Sequence, residues 1–188
     1  VIKSGETVKT SAGAMLVLQV SGSGNIKVHE NTEFVFESID ESGKTSIDLK
    51  SGSLYSKLKK LSKDQSYEIK TMTFTAAVRG TEFLSTSSEK DSGIKVLDGK
   101  VSLSAGESLE NIADAGNGIK LNKSGKPEVY SLSKIETLLL EKDSVQTTLE
   151  NVEGKTEEEL KLIQQSKLEK TAELDKKIEE EIAFEKLS

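Results

Sequence analysis

The sequence predicts a mainly β fold that is followed by a C-terminal α-helical hairpin. Up to residue 126, short segments alternate apolar and polar residues, which is typical of strands with one buried face. Thirteen of the 14 glycines precede Pro127, the sole proline, and the sequence beyond it has helical periodicity and helix caps. We therefore predict a β-domain at residues 1–126 and a helical tail at residues 127–188.

The strand-like segments are separated by turns rich in glycine, serine and asparagine, residues that favour turns. Two segments, IDLKSGSLYSKL and IKVLDGKVSLSA, echo each other as an apolar strand, a glycine turn and a second apolar strand. Such an element is a hairpin or a corner. The strand spacing fits a sandwich, a barrel or a short β-helix-like stack, and the echo favours stacked or wrapped strands.

The tail contains two capping boxes, in which Ser133 pairs with Glu136 and Thr156 with Glu159. They predict helices at about residues 134–153 and 157–187, and Gly154 is interpreted as the C′ stop between them. The predicted apolar stripes are Ile135, Leu139, Val145, Leu149 and Val152 in the first helix, and Leu160, Ile163, Leu174, Ile178 and Ile182, with Leu168 close by, in the second. The second stripe is narrow, so we expect it to cover the first helix or to pair with another chain.

Charge and composition argue against several function classes. The net charge is −6, which disfavours nucleic acid as a partner because phosphate contacts need clustered basic residues. The chain has no cysteine and one histidine, His29, so thiolate chemistry is excluded and most transition-metal sites are disfavoured. No motif supports catalysis, and we predict neither enzymatic activity, nor a cofactor, nor a metal. No apolar run is long enough to span a bilayer.

The single arginine, Arg79, is the most unusual feature of a chain with 25 lysines. Its neighbours are small or apolar, so we expect the guanidinium to fold inward at a bend between strands. There its planar donors would bind backbone carbonyls or a carboxylate, and replacement by lysine would destabilise the fold nearly as much as replacement by alanine. The alternative is a surface site for an anion or a carboxylate. A local basic run at residues 56–65 is either a solvated strand edge or a contact for acidic surfaces or anionic headgroups.

The residues around Arg79 also resemble a known family. The segment V-R-G-T-x-F, here Val78, Arg79, Gly80, Thr81 and Phe83, followed by V-L-x-G-x-V around Gly99, is similar to the hallmark of the FecR domain. The matching segments cover most of residues 1–121 in the family's order. The resemblance implies an all-β, extracytoplasmic domain that contacts other proteins in signalling, and these six residues form its structural motif.

The predicted function follows from this resemblance and from the missing catalytic motifs. We expect a non-catalytic envelope protein, periplasmic or in the outer membrane and with or without a lipid anchor, that binds an unidentified protein partner as a scaffold or signalling module. The tail, which has 16 acidic and 9 basic residues, would act as a docking or oligomerising arm. The alternative is a peptidoglycan- or carbohydrate-binding module, which the scarcity of aromatic residues disfavours.

Overall fold

The computed structural model describes residues 1–39, 44–89, 91–105, 110–121, 126–149 and 154–187. Within these residues the chain forms thirteen strands and two helices, and the predicted mainly β fold with a helical hairpin is confirmed. In chain order the elements are β1 (Thr7–Lys9), β2 (Leu16–Val20), β3 (Gly24–Val28), β4 (Glu33–Ile39), β5 (Lys44–Leu58), β6 (Ser66–Lys70), β7 (Thr75–Val78), β8 (Glu82–Ser87), β9 (Ser92–Asp98), β10 (Lys100–Ser104), β11 (Glu110–Asp114), β12 (Asn117–Leu121), β13 (Pro127–Ser131), α1 (Lys134–Thr147) and α2 (Glu157–Leu187).

The long strand β5 joins the β-domain into one nearly closed, barrel-like sheet. Its first half pairs with β4 and, in parallel, with β6, whereas its second half pairs with β3 and β8. The strands therefore form two groups that share β5. One group runs β1-β4-β5-β6-β7-β10-β11 and the other runs β2-β3-β5-β8-β9-β12-β13.

Successive hairpins alternate between these two groups, so that the chain wraps around the core. β6 and β7 pair in the first group, β8 and β9 in the second, β10 and β11 in the first, and β12 and β13 in the second. The two echoing segments of the sequence lie where the chain changes group. IDLKSGSLYSKL is part of β5 itself, and IKVLDGKVSLSA is β9 and β10 with Gly99 between them. Both segments are corners of the sheet.

Alternate side chains of these strands point into one apolar core. Its buried members come from most strands of both groups, and none comes from the helices. Tyr67 and Phe83 meet edge to face with ring centroids 6.4 Å apart, and Phe34 and Phe36 do so at 5.3 Å. The core cluster consists of Val20, Ile26, Val28, Phe34, Phe36, Ile47, Leu49, Leu54, Leu58, Leu61, Tyr67, Ile69, Phe74, Ala76, Val78, Phe83, Ile94, Val96, Val101, Leu103, Ala113, Ile119 and Leu121.

Both predicted capping boxes form. The Ser133 hydroxyl accepts from the Glu136 amide at 3.2 Å, and the Ser133 amide donates to the Glu136 carboxylate at 2.9 Å. Thr156 and Glu159 make the same two hydrogen bonds at the start of α2, at 3.2 and 2.7 Å. These bonds satisfy amide donors that an uncapped helix would leave without partners.

The first helix ends earlier than predicted. α1 stops at Thr147, and Thr148 is an extended C-cap whose amide donates to the Ser144 carbonyl. Lys167 of α2 satisfies further carbonyls there, with its Nζ 3.0 Å from Gln146 O and 2.7 Å from Thr148 O. A lysine from the neighbouring helix therefore helps to cap α1. Gly154 has a φ of 75° but lies just before α2, so it is not the C′ residue of α1; residues 150–153 lie outside the described residues.

The apolar stripe predicted for α1 is wrong at Leu139 and Leu149, whereas Val145 packs against α2 as expected. Leu139 and Leu149 are 45% and 44% exposed, whereas the buried side chains of α1 are Leu138, Leu140, Asp143 and Thr147. The reason is that α1 packs on two partners. Leu138 and Val145 pack against α2, but the face towards the sheet is largely polar, and apolar periodicity cannot detect a polar buried face. Val152 lies outside the described residues.

The second stripe is placed correctly at its centre. Leu174 and Ile178 are buried against Leu138 of α1, whereas Ile182 is 37% exposed and Leu168 is 60% exposed. α2 is 31 residues long and α1 only 14. Lys167 of α2 contacts the end of α1 and Glu181 contacts its start, so both ends of α2 extend past α1. The apolar contact between the helices is consequently small.

A close backbone approach fixes the corner between β7 and β8. Gly80 has a φ of 87°, and a Cβ built on it would lie 2.7 Å from the Cα of Lys60. A side chain here meets two obstacles, namely a backbone conformation that L-residues rarely adopt and a backbone atom that cannot move aside.

We expect Gly80→Ala to lower the free energy of unfolding by about 2 kcal/mol or more. Gly116→Ala is the matched control, because Gly116 has a similar φ of 82° but no heavy atom within 4 Å of a built Cβ. The control should lose only about 1 kcal/mol, from backbone strain. Urea denaturation measures both values, and equal losses would show that the contact with Lys60 is unimportant.

Candidate functional site

The V-R-G-T-x-F segment forms the corner from β7 to β8. Val78 ends β7 and Phe83 lies in β8, with exposures of 5% and 0%. Thr81 is also buried, and its Oγ1 donates to the Lys100 carbonyl at 2.9 Å. Gly99 lies at the adjoining corner, where a built Cβ would be 2.9 Å from Gly80 O. The two halves of the sequence motif therefore meet in space as two corners packed against each other.

The predicted inward position of Arg79 is wrong. The Arg79 side chain is exposed, and it makes no hydrogen bond or ion pair to any described residue. Strand alternation explains this result, because Val78 points into the core and its neighbour must point outward. The small and apolar neighbours pack the backbone of the corner and not the guanidinium. The expected destabilisation by Arg79→Lys therefore has no structural basis, and the surface alternative remains.

The basic run of residues 56–65 passes beside this corner. The Leu58 amide donates to Thr81 O at 3.1 Å, and the backbone of Lys60 touches Gly80. The side chains of Lys59 and Lys60 are exposed, and Leu61 next to them is buried in the core. We call Arg79, Lys59 and Lys60 the cationic corner. The structure thus brings together two features that are separate in the sequence.

The charge of this surface is positive after nearby acids are counted. Exposed Asp64 lies in the same loop as Lys59 and Lys60, and exposed Asp98 lies at the neighbouring corner. Lys100 pairs with Asp114 at 2.9 Å. Within the described part of the chain, none of the three residues of the cationic corner forms an ion pair, so their donors face solvent.

A second polar centre lies between α1 and the sheet, and sequence reasoning missed it. Lys27 of β3 donates to Asp143 Oδ1 and to Gln146 Oε1 of α1, each at 2.5 Å. His29 Nε2 lies 3.2 Å from Asp143 Oδ2. The side chains of Lys27 and Asp143 are only 7% and 11% exposed. The sequence signal for this site was that Asp143 lies one helical turn from both Leu140 and Thr147, so that the three side chains share one helix face.

A hydrogen-bonded cluster continues this contact across β5 and β8. The Ser144 hydroxyl donates to Glu82 Oε2 at 2.6 Å, and Lys57 Nζ donates to Ser144 Oγ at 2.8 Å. The Tyr55 hydroxyl also donates to Glu82 Oε2, at 3.0 Å. Burial and the Glu82 charge raise the pKa of Tyr55 far above its usual value. Tyr55 is therefore a hydrogen-bond donor at every physiological pH.

Two carboxylates of α1 are held in the charged form. Burial opposes ionisation of Asp143, but hydrogen bonds and charge from His29 and Lys27 outweigh it and lower its pKa. Burial likewise opposes ionisation of Glu136, while the Ser133 amide and Lys95, whose Nζ lies 2.9 Å away, lower its pKa. Both acids thus stabilise the docked helix only while they are ionised.

Acid should release α1 from the sheet. The folded-state pKa of Asp143 is below its unfolded value, so its contribution is complete above about pH 4 and falls as the pH drops further. Amide exchange of α1 followed by NMR between pH 6 and pH 3 would measure this. Asp143→Asn should raise α1 exchange at pH 6 and flatten the pH dependence. An unchanged slope in this variant would contradict the assignment to Asp143.

The described residues contain no cluster of His, Asp or Glu suited to a metal ion. Neither described helix is long and apolar enough to cross a membrane. The chemistry that these surfaces offer is the binding of charged groups by exposed guanidinium and ammonium donors.

Comparison with solved structures identifies the fold. A putative anti-sigma factor from Parabacteroides distasonis ATCC 8503, solved at 2.50 Å and at 1.65 Å, superposes with a TM-score of 0.60 in both cases, at 13% identity. The match covers 74% and 75% of this chain and 63% and 64% of the neighbour's chain. This chain therefore matches less than two thirds of the neighbour's length.

Comparison of sequences identifies the family. No curated protein is significantly similar to this chain. The family model described as FecR protein matches residues 6–102, which include the corners at Gly80 and Gly99. Since this match covers more than half of the sequence, the chain belongs to the FecR family.

Proposed function

We propose that this chain is a non-catalytic, protein-binding regulatory module of the bacterial envelope, and that its cationic corner contacts an acidic segment of the partner. The observation that carries the proposal is the exposed cluster of Arg79, Lys59 and Lys60 on a tightly packed corner. A rigid backbone presents these side chains, because Gly80 is in contact with Lys60 and Thr81 is bonded to Lys100. Binding would therefore require little ordering of the backbone.

The chemistry of the corner favours a carboxylate-rich ligand. A guanidinium can bind a carboxylate with two parallel hydrogen bonds, whereas an ammonium acts as a point charge. The rest of the chain is acidic, with a net charge of −6 overall, so a positive corner is a local exception. Such a patch steers an acidic partner to one place on the surface.

The comparisons support a regulatory role and not a catalytic one. The family is FecR, and the structural neighbour is described as a putative anti-sigma factor. The resemblance to FecR domains also motivates the proposed location outside the cytoplasm, in the periplasm or at the outer membrane, with or without a lipid anchor. Oligomerisation through the helical tail stays a prediction.

The carbohydrate-binding alternative gains no support. Sugar sites commonly stack the ligand on exposed aromatic rings. Phe34, Phe36, Phe83, Tyr55 and Tyr67 are all buried. Among the described aromatic residues, Phe184 near the end of α2 is the one with high exposure, at 66%.

The test compares a corner variant with a charge-matched control. The corner variant combines Arg79→Ala, Lys59→Ala and Lys60→Ala, and the control combines Lys9→Ala, Lys176→Ala and Lys186→Ala, which removes the same charge from other exposed positions. Each exposed substitution should change the free energy of unfolding by only about 0.5 kcal/mol. Chemical crosslinking in an envelope extract, read by quantitative mass spectrometry, measures partner capture.

We expect the corner variant to capture about tenfold less partner than the parent, and the control to behave like the parent. Parent capture should also fall as salt is raised, because exposed charges are screened. Equal capture by all three proteins would overturn the role of the corner. If the corner variant and the control lost the same amount of partner capture, the effect would come from net charge and not from the cationic corner.

A further inference from the structure

The face of the sheet beneath α1 carries three lysines and one acid, Glu82 of β8, which pairs with Lys57 at 3.2 Å. Lys27 of β3, Lys57 of β5 and Lys95 of β9 point outward from the core, with side chains 7%, 30% and 29% exposed. Each meets an acceptor on α1. Lys27 contacts Asp143 at 2.5 Å, Lys57 contacts Ser144 at 2.8 Å, and Lys95 contacts Glu136 at 2.9 Å. We call these three lysines the lysine face.

The attachment of α1 to this face is mainly polar. No α1 side chain belongs to the core cluster of the β-domain, and the buried Leu138 packs against α2. On the helix face that carries Asp143 and Thr147, Leu140 is the buried apolar side chain, at 1% exposure. The attraction of buried ion pairs is largely offset by the desolvation of their charges. Charge pairing therefore determines the position of α1 on the sheet, and it contributes more to that position than apolar burial does.

The two helices contact each other mainly through residues that do not contact the sheet. α2 packs along α1, where its Leu174 and Ile178 contact Leu138 and its Asp175 binds Lys142. Leu132 and Ser133 connect β13 to α1. Lifting α1 from the lysine face would thus keep the contacts between the two helices.

We propose that the lysine face is a binding surface for an acidic amphipathic helix of a partner protein, and that α1 occupies it as a built-in competitor. The partner helix would carry two carboxylates seven residues apart with an apolar residue between them, as Glu136, Leu140 and Asp143 do. Seven residues are about two helical turns, so the three side chains share one face. This surface shares no residue with the cationic corner, and the proposal does not rest on the corner.

Charge complementarity and strand pairing together select this occupant. β3, β5, β8 and β9 are each paired on both sides, so the face offers no free strand edge to an extended peptide. Lys27 is buried beneath α1, where Asp143 is its carboxylate partner, and a replacement that covers Lys27 without a carboxylate would desolvate an unpaired cation. An acidic helix restores a carboxylate partner to Lys27 and Lys95, whereas an apolar helix would leave both desolvated without one among the described residues. Lys57 keeps Glu82 of β8 as a partner, at 3.2 Å.

The first measurement is hydrogen–deuterium exchange on the intact parent chain. α1 should exchange at least about tenfold faster than β5, and raising the salt from low to high concentration should increase its exchange further. Exchange of α1 at the same rate as β5, with no dependence on salt, would show that the helix opens only when the whole domain unfolds, and would overturn the proposal.

The second measurement uses a dye-labelled peptide with the sequence of Ser133–Thr148 as the probe. In the full chain, Asp143→Lys places an ammonium against Lys27 and should vacate the face. The natural peptide should bind this variant at least about tenfold more tightly than it binds the parent. A peptide that itself carries Asp143→Lys should bind neither protein. Equal affinity for parent and variant, or equal binding by both peptides, would overturn the proposal.

Two controls separate the possible failures. Circular dichroism and the exchange pattern of β5 show whether the full-chain Asp143→Lys variant keeps its β-domain, and the exchange of the parent tests the proposal if it does not. A chain that carries both Asp143→Lys and the corner substitutions at Arg79, Lys59 and Lys60 should still bind the peptide. If the Asp143→Lys chain does not bind the peptide but partner capture still depends on the cationic corner, the lysine face alone is rejected. If that chain binds the peptide but partner capture does not depend on the corner, the cationic corner alone is rejected.

Discussion

The β-domain depends on the sharing of β5 between two groups of strands. A strand of 15 residues that pairs with four others cannot shift its register without disrupting both groups. The corners beside it are then fixed by backbone contact, as at Gly80, where no room remains for a side chain. The surface residues at these corners take their positions from the core and not from contacts of their own.

This constraint explains how an exposed arginine can lie in an ordered place. Arg79 has no partner within the described part of the chain, yet its backbone is held between the buried residues Val78 and Thr81. Lys59 and Lys60 are placed in the same way, by the buried Leu58 and Leu61 on either side. In each segment the buried residues stabilise the fold, and the exposed basic residues next to them supply the binding chemistry.

The helical tail is held in place by different interactions from those that stabilise the β-domain. The β-domain is held by a large apolar core, whereas α1 is held to the sheet by Lys27, Lys57 and Lys95 and their partners. Apolar burial is strong and unspecific, while buried ion pairs add specificity more than stability. A tail attached in this way keeps a defined position and can still exchange that position for another ligand.

The sequence alone determined the strand content, the capping boxes at Ser133 and Thr156, and the family, because these features rest on local periodicity and on contiguous motifs. Only the tertiary structure decided that Arg79 faces solvent beside Lys60, and that Asp143 is buried against Lys27. These outcomes depend on which strands become neighbours and which helix face meets a polar surface. Residue pairs separated by 116 positions, such as Lys27 and Asp143, leave no local pattern in a single sequence, since the pairing is set by the path of the whole chain.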